Sequence, residues 1–274
     1  MYSKMVNLCL KSFVSSPNPT DIVKLNYKEF GSGEPLIILH GLMGMLDNWQ
    51  APARLLENDF RVIIVDLRNH GHSPNDPLHT YGAMVDDVVE LLDDLQLSSS
   101  HFLGHSMGGK VVMKLAQEHP EKVEKLIVAD IGPKFYPVHH QDVLAALRAV
   151  PLNKLEKRTD AEDYMKPHLS EAGVRQFLMK SLYRPERGKF SWRFNLDAIE
   201  NQIENVGEAI NNLDYDGETL FIRGGNSNYI LDEDWADIKI IFPNAFLETI
   251  EGAGHWLHAE KPKEFTNAVL TFLK

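Results

Sequence analysis

Cysteine is almost absent from this 274-residue chain: a single thiol, Cys9, excludes an internal disulfide, and nothing in the composition points to an oxidising compartment. The expected location is therefore the cytoplasm. Basic charge is also scarce, with 28 Lys and Arg against 39 Asp and Glu, and the net charge of -11 argues against nucleic acid or another polyanion as partner. Long apolar runs are missing. Near the N-terminus, Lys4 precedes a short apolar run at 5–10 that Asn7 interrupts and Lys11 ends, too short for the core of a signal peptide. No segment approaches the roughly 18 apolar residues that would suggest a membrane span. The sequence holds no internal repeat and no low-complexity tract. What it does hold is 43% hydrophobic residues, enough to bury one large core, so a soluble chain with one core plus an insertion is the starting expectation.

Short β-rich runs alternate with segments of helical period, the pattern of a mostly parallel sheet with helices on both faces. The runs fall at 23–30, 36–40, 60–66, 101–103, 126–130, 220–223 and 245–250. Between them, Met84, Val85, Val88, Leu91, Leu92 and Leu95 share one helical face, and Val111, Val112 and Leu115 lie on a helix that Pro120 closes. The alternation stops after Ile131, Gly132 and Pro133 and resumes near Asp216. No clear strand is expected between. Val143, Leu144 and Leu147, then Val174, Phe177, Leu178 and Leu182, keep helical spacing broken by Pro151, Pro167 and Pro185. A stretch of roughly 80 residues is too long for a plain loop, so 134–213 is expected to be a helical lid on a core made of 1–133 and 214–274.

Gly104-His105-Ser106-Met107-Gly108 fits Gly-x-Ser-x-Gly directly after a strand and directly before a helix. A turn that sharp strains the serine backbone and leaves no room for side chains at 104 and 108. Ser106 is therefore the expected nucleophile, raised above the carboxyl edge of the sheet with free N–H groups of the helix start behind it, Met107 N–H nearest. Gly252-Ala253-Gly254-His255-Trp256 follows the last expected strand, and His255 is the expected base, since imidazole exchanges protons near neutral pH. The other histidines are mostly assigned to surface or loops. His139 and His140 resemble a metal pair, yet no third ligand stands at helical or turn spacing, so neither metal nor cofactor is expected. The strand at 36–39 runs into His40-Gly41-Leu42-Met43-Gly44, where Leu42 N–H is the second expected donor to an oxyanion.

The segments at 40–44, 66–73, 104–110 and 252–262 together resemble the α/β-hydrolase superfamily over essentially the whole chain. The resemblance implies that fold, and an acid after the penultimate strand. Here the loop in that place, Arg223-Gly224-Gly225-Asn226-Ser227-Asn228, has no carboxylate, and an amide such as Asn228 cannot stabilise an imidazolium. Asp130, at the end of the strand after the nucleophile helix, would emerge on the same edge. Asp66-Leu67-Arg68-Asn69-His70-Gly71, Gly108-Gly109-Lys110, Gly224-Gly225-Asn226-Ser227 and Gly254-His255-Trp256 resemble, more narrowly, the YbfF-type esterases. That resemblance implies an acid at Asp130, joined by a serine at Ser227 in a four-membered relay with Ser106 and His255. Asp197, after Trp192-Arg193-Phe194-Asn195-Leu196, is the second candidate, from the resemblance to a mitochondrial branch of the superfamily. Trp192 and Phe194 would line an acyl pocket, or pack the lid onto the core.

The function these expectations define is hydrolysis of a small carboxylic ester or thioester through an acyl-enzyme. The preference for short acyl chains is implied only by the resemblance. Carbon–carbon bond hydrolases and cofactor-free perhydrolases share the same triad, and a ligand receptor on the same scaffold could dispense with the base. Hydrolases with an aspartate nucleophile are disfavoured by serine at 106. An isolated apolar residue in the insertion does not define a partner surface, so no oligomeric state is assigned.

Overall fold

The computed structural model describes residues 22–138, 140–185 and 188–274. Cys9, the apolar run at 5–10 and His139 lie outside the described residues. Nine strands are assigned among those described: β1 (Asn26–Phe30), β2 (Pro35–Leu39), β3 (Arg61–Asp66), β4 (Ser100–His105), β5 (Val123–Ala129), β6 (Leu182–Tyr183), β7 (Ser191–Trp192), β8 (Thr219–Gly224) and β9 (Ala245–Ile250). The α-helices are α1 (Gln50–Leu56), α2 (Tyr81–Asp94), α3 (Met107–Glu118), α4 (Gln141–Ala149), α5 (Asp160–Met165), α6 (Ala172–Lys180), α7 (Leu196–Asn201), α8 (Ile203–Val206), α9 (Trp235–Ile241), α10 (Leu257–Glu260) and α11 (Pro262–Leu273).

Seven strands form one sheet in the order β1-β3-β2-β4-β5-β8-β9, with β1 antiparallel to β3 and every other neighbouring pair parallel. Parallel strands are covered on both faces, so they read as continuous apolar runs and not as alternations. In β2, Ile37 and Leu39 join Phe102 and Val128 in one core cluster, while Leu36 and Ile38 join Leu103 and Ile127 in the other. Helices α2 and α3 cover the first cluster through Met84, Val88, Val111 and Leu115; α1 and α11 cover the second through Ala53, Leu56, Phe265 and Val269. The chain leaves β2 toward β3 on one side and reaches β4 on the other, which opens a crevice at the carboxyl ends of β2 and β4.

Two expectations are corrected. The first strand begins at Asn26 and not at 23, because the Val23 N–H donates to Asp87 Oδ1 (2.8 Å) outside the ladder. The stretch between β5 and β8 carries the helices α4 to α8 but also contains strands: β6 and β7 pair antiparallel over two residues each, too short to leave an alternation in the sequence. Its helices bury Leu144, Leu147, Met165, Leu178 and Ile199 in a third cluster that also takes in Met43, from the loop after β2. That contact packs the insertion against the loop after β2. Among the described residues, no helix is long and apolar enough to cross a membrane.

Candidate active site

Ser106 sits between β4 and α3 with φ 53° and ψ -117°, a positive φ that a side chain other than glycine adopts only under constraint. The constraint is visible in its flanks. A Cβ on Gly104 would lie 2.2 Å from the Gly108 carbonyl oxygen, and one on Gly108 would lie 2.5 Å from that of Leu39, so strand and helix approach closely only because both residues are glycine. The Ser106 N–H donates to Ala129 O (3.0 Å), which pins the turn to β5.

The Ser106 hydroxyl stands 3.1 Å from His255 Nε2, and His255 Nδ1 stands 2.7 Å from Asp130 Oδ2. With Ser106 donating to Nε2, the imidazole carries its proton on Nδ1 and donates it to the carboxylate. Asp130 immediately follows β5, is fully buried, and has φ 52°, a left-handed conformation that aspartate tolerates better than most residues. Its own N–H donates to Ile222 O (2.8 Å), so the side chain is fixed to the sheet edge. Three donors converge on it: His255 and the Ser227 hydroxyl (2.5 Å) on Oδ2, and the Gly224 N–H (3.0 Å) on Oδ1. The loop after β8, which lacks a carboxylate, thus contributes Ser227 and a backbone amide, while Asn228 is exposed. The structure does not bring Asp197 to this cluster. That residue lies on α7 with a side chain 78% exposed, accepting from Arg148 Nη2 at 2.6 Å.

On the opposite side of Ser106, the loop after β2 is held by residues from the next strand's turn. Met43 N–H donates to His70 Nε2 (3.0 Å), and Gly44 N–H to Gly41 O (3.0 Å), while neither the Gly41 nor the Leu42 N–H has a described acceptor. His40 supports the same corner, accepting from Leu67 N–H on Nε2 (3.1 Å) and donating from Nδ1 to Gly41 O (2.8 Å). Burial pushes His40 down to about 4 and His70 to about 3, so both remain neutral acceptors. Met107 opens α3, whose first N–H groups have no acceptor within the helix. The 66–73 turn is braced by charge: Arg68 pairs with Asp87 through two hydrogen bonds of 2.7 and 2.8 Å.

Several neighbours of the imidazole escaped sequence reasoning. His105 Nε2–H donates to the His255 carbonyl (2.8 Å), His258 stacks on Trp49 (4.2 Å between centroids), and the Tyr229 ring stacks on His255 (4.1 Å, 21°). The assignment of the other histidines to surface or loops is corrected in part: His40, His70, His79, His101, His105 and His258 are all buried, although His40 and His79 do lie in loops. The available signal was their position beside glycine in the same turns that carry the site, as in His40-Gly41 and His70-Gly71.

A cavity of about 400 Å³ opens over Ser106, with Leu42, Met43, Val143, Val174, Phe177, Leu178 and Trp256 supplying its apolar wall. Trp192 and Phe194 are not part of that wall, which corrects the expectation that they line a pocket. They stack on each other (5.5 Å, 6°) in the buried cluster of the insertion, and Phe194 bridges to His70 of the core. Aromatics at that junction bury more apolar area against the core than they would in an open cleft.

A sheet of this order, with a serine on a strained strand-to-helix turn facing an imidazole and a buried carboxylate, is the architecture of an α/β hydrolase. The family model for the alpha/beta hydrolase fold matches residues 34–262, and the chain belongs to that family. It is similar to "Esterase YbfF" of Escherichia coli (strain K12), 41% identical over 243 residues, covering 88% of this chain and 94% of that protein. It is also similar to "sn-1-specific diacylglycerol lipase ABHD11" of Danio rerio, 37% identical over 264 residues, covering 92% of this chain and 83% of that protein. Among solved structures, "Marine microorganism esterase" superposes with a TM-score of 0.88 at 41% identity, covering 91% of this chain and 99% of that one.

Proposed function

We propose that the protein is a serine hydrolase that cleaves carboxylic esters or thioesters of short acyl chains through an acyl-enzyme on Ser106. The observation that carries this reading is the unbroken relay from Ser106 Oγ through His255 to Asp130 at 3.1 and 2.7 Å. His255 takes the Ser106 proton as Oγ attacks the acyl carbon; the oxyanion is received by the Leu42 and Met107 N–H groups. When the intermediate collapses, the bond to the leaving oxygen or sulfur breaks and His255 returns the proton to it. Water, activated by the same imidazole, then releases the acid. Asp130 orients the ring and stabilises its charged form, with Ser227 and Gly224 holding the carboxylate in place. The names of the esterase and lipase relatives support ester chemistry; the preference for short acyl groups is what the resemblance of the sequence motifs to YbfF-type esterases implies. The segment 134–213 acts as a lid in this reading, supported by its seat on Met43, and the single cysteine supports a cytoplasmic location. The test is a panel of esters and acyl thioesters of graded length assayed beside Ser106→Ala. Loss of the nucleophile is expected to lower kcat by a factor on the order of a million with thermal unfolding unchanged. Near-normal turnover by Ser106→Ala would reject the reading.

A further inference from the structure

Two spaces of unequal size meet at Ser106. The larger, about 400 Å³, is lined by His255, His105 and Trp256 together with the apolar wall of the insertion. The smaller, about 30 Å³, lies on the α3 side against Met107, Ile131, Tyr136, Ile203 and Val206, and His255 does not line it. Ser106, Leu42, His140 and Tyr229 border both.

We propose that the alcohol part of the substrate occupies the larger space and the acyl part the smaller one, so that the protein takes short acyl groups on bulky apolar alcohols. The assignment rests on Ser106 and His255 being nucleophile and base, and goes beyond that reading by orienting the substrate. Its basis is where the proton has to go. In the tetrahedral intermediate the acyl carbon carries Ser106 Oγ, the oxyanion, the leaving oxygen and the acyl chain. The leaving oxygen takes the electron pair of the breaking bond and a proton from His255 Nε2, so it must lie within about 3 Å of that nitrogen. Its alkyl group therefore continues into the space that His255 lines. The oxyanion is directed to the Leu42 and Met107 amides. The acyl chain is left with the direction away from the imidazole, into the α3 side.

Size then decides specificity. At less than a tenth of the volume of the larger space, the smaller one has room for a short acyl group and not for a long chain. Hydrogen bonds keep it small: the Tyr136 hydroxyl donates to Tyr229 O (2.5 Å) and accepts from Gly132 N–H (2.8 Å). Beside it, Lys110 Nζ donates to Lys134 O (2.6 Å), Glu208 O (2.8 Å) and Pro133 O (3.3 Å), tying α3 to both ends of the insertion. The larger space falls within the roughly 300–1,000 Å³ of ordinary small-molecule sites.

Octyl acetate and ethyl octanoate are isomers of one formula that exchange the long chain between the two sides of the ester, so they test orientation at constant composition. The expected result is a kcat/KM for octyl acetate on the order of 100-fold higher, since even one methylene against a closed wall costs tenfold or more. Ile203→Ala, which widens the smaller space, is expected to narrow that ratio at least tenfold by raising turnover of the octanoate. Equal rates, or a preference for ethyl octanoate, with both activities abolished by Ser106→Ala, would overturn the orientation and leave the serine hydrolase standing. Hydrolysis of both esters that survives Ser106→Ala would overturn the hydrolase reading and the orientation with it.

Discussion

Exchanging Asp130 for Asn preserves the shape of the side chain and removes its charge. Three donors meet the wild-type carboxylate: Gly224 N–H on Oδ1, and His255 Nδ1–H and Ser227 O–H on Oδ2. An asparagine that keeps its oxygen toward Gly224 turns its NH2 toward the other two. The Ser227 hydroxyl rotates to accept, but His255 must also become an acceptor at Nδ1, and its proton moves to Nε2. A ring protonated there no longer takes the proton of Ser106, 3.1 Å away. The flipped amide points its NH2 at the Gly224 N–H in a buried corner, an unsatisfied contact that costs about 1–3 kcal/mol. The wrong tautomer therefore dominates, and the expected loss in kcat is about 10⁴-fold, or about 5.5 kcal/mol of transition-state stabilisation at 1.36 kcal/mol per decade. Asp197→Asn disturbs only an exposed pair with Arg148, worth about 0–1 kcal/mol, and should leave kcat within about twofold. Steady-state kinetics on p-nitrophenyl acetate, with thermal melts to show that each variant folds, make the comparison. A kcat for Asp130→Asn within tenfold of wild type, or an equal fall in Asp197→Asn, would refute the assignment of Asp130.

Ser227→Ala should be milder, roughly tenfold in kcat with KM unchanged, because Asp130 keeps Gly224 and His255; a loss under twofold would remove Ser227 from the relay. Acid should destabilise the fold through histidines buried as neutral rings. Burial lowers His40 to about 4 and His70, His79 and His258 to about 3, whereas the unfolded chain protonates them near 6.5. The unfolded state thus binds more protons below pH 6.5, so stability is full above that pH and falls toward pH 4 and then 3, by about 3 kcal/mol from His40 alone. Melting curves between pH 8 and pH 4 that stay level would contradict this. Gly104→Ala sets a Cβ 2.2 Å from Gly108 O and should cost about 3 kcal/mol or more, read as a lowered Tm or failure to fold; a wild-type Tm would refute the close-packed turn.

The parallel sheet was legible in the sequence because its strands are apolar on both faces and short helices separate them. The hairpin of β6 and β7 was not, since two residues per strand carry no period. Ser106 was readable from local geometry alone: a strand, a turn that forbids side chains at 104 and 108, and a helix. The place of His255 followed from the loop after β9, and that of Asp130 from the end of the neighbouring strand β5, a position that the resemblance reinforced and that Asp197, on a helix of the insertion, does not share. Trp192 and Phe194 show where periodicity fails. Aromatics in an insertion suit a pocket wall or a packing seam equally, and the deciding cluster, which gathers Trp192 and Phe194 with Met43 of the core, joins residues far apart in the chain. The buried histidines escaped for a related reason: a ring that caps a loop amide, as His70 does for Met43, leaves no trace in composition.

The nucleophile can be caught directly. Wild-type protein mixed with p-nitrophenyl acetate, quenched in acid within milliseconds and digested for mass spectrometry, should carry one acetyl group on the peptide containing Ser106 and none in Ser106→Ala. An acetyl group on another residue, or turnover without any covalent intermediate on Ser106 under conditions where release of acetate is rate-limiting, would contradict the acyl-enzyme.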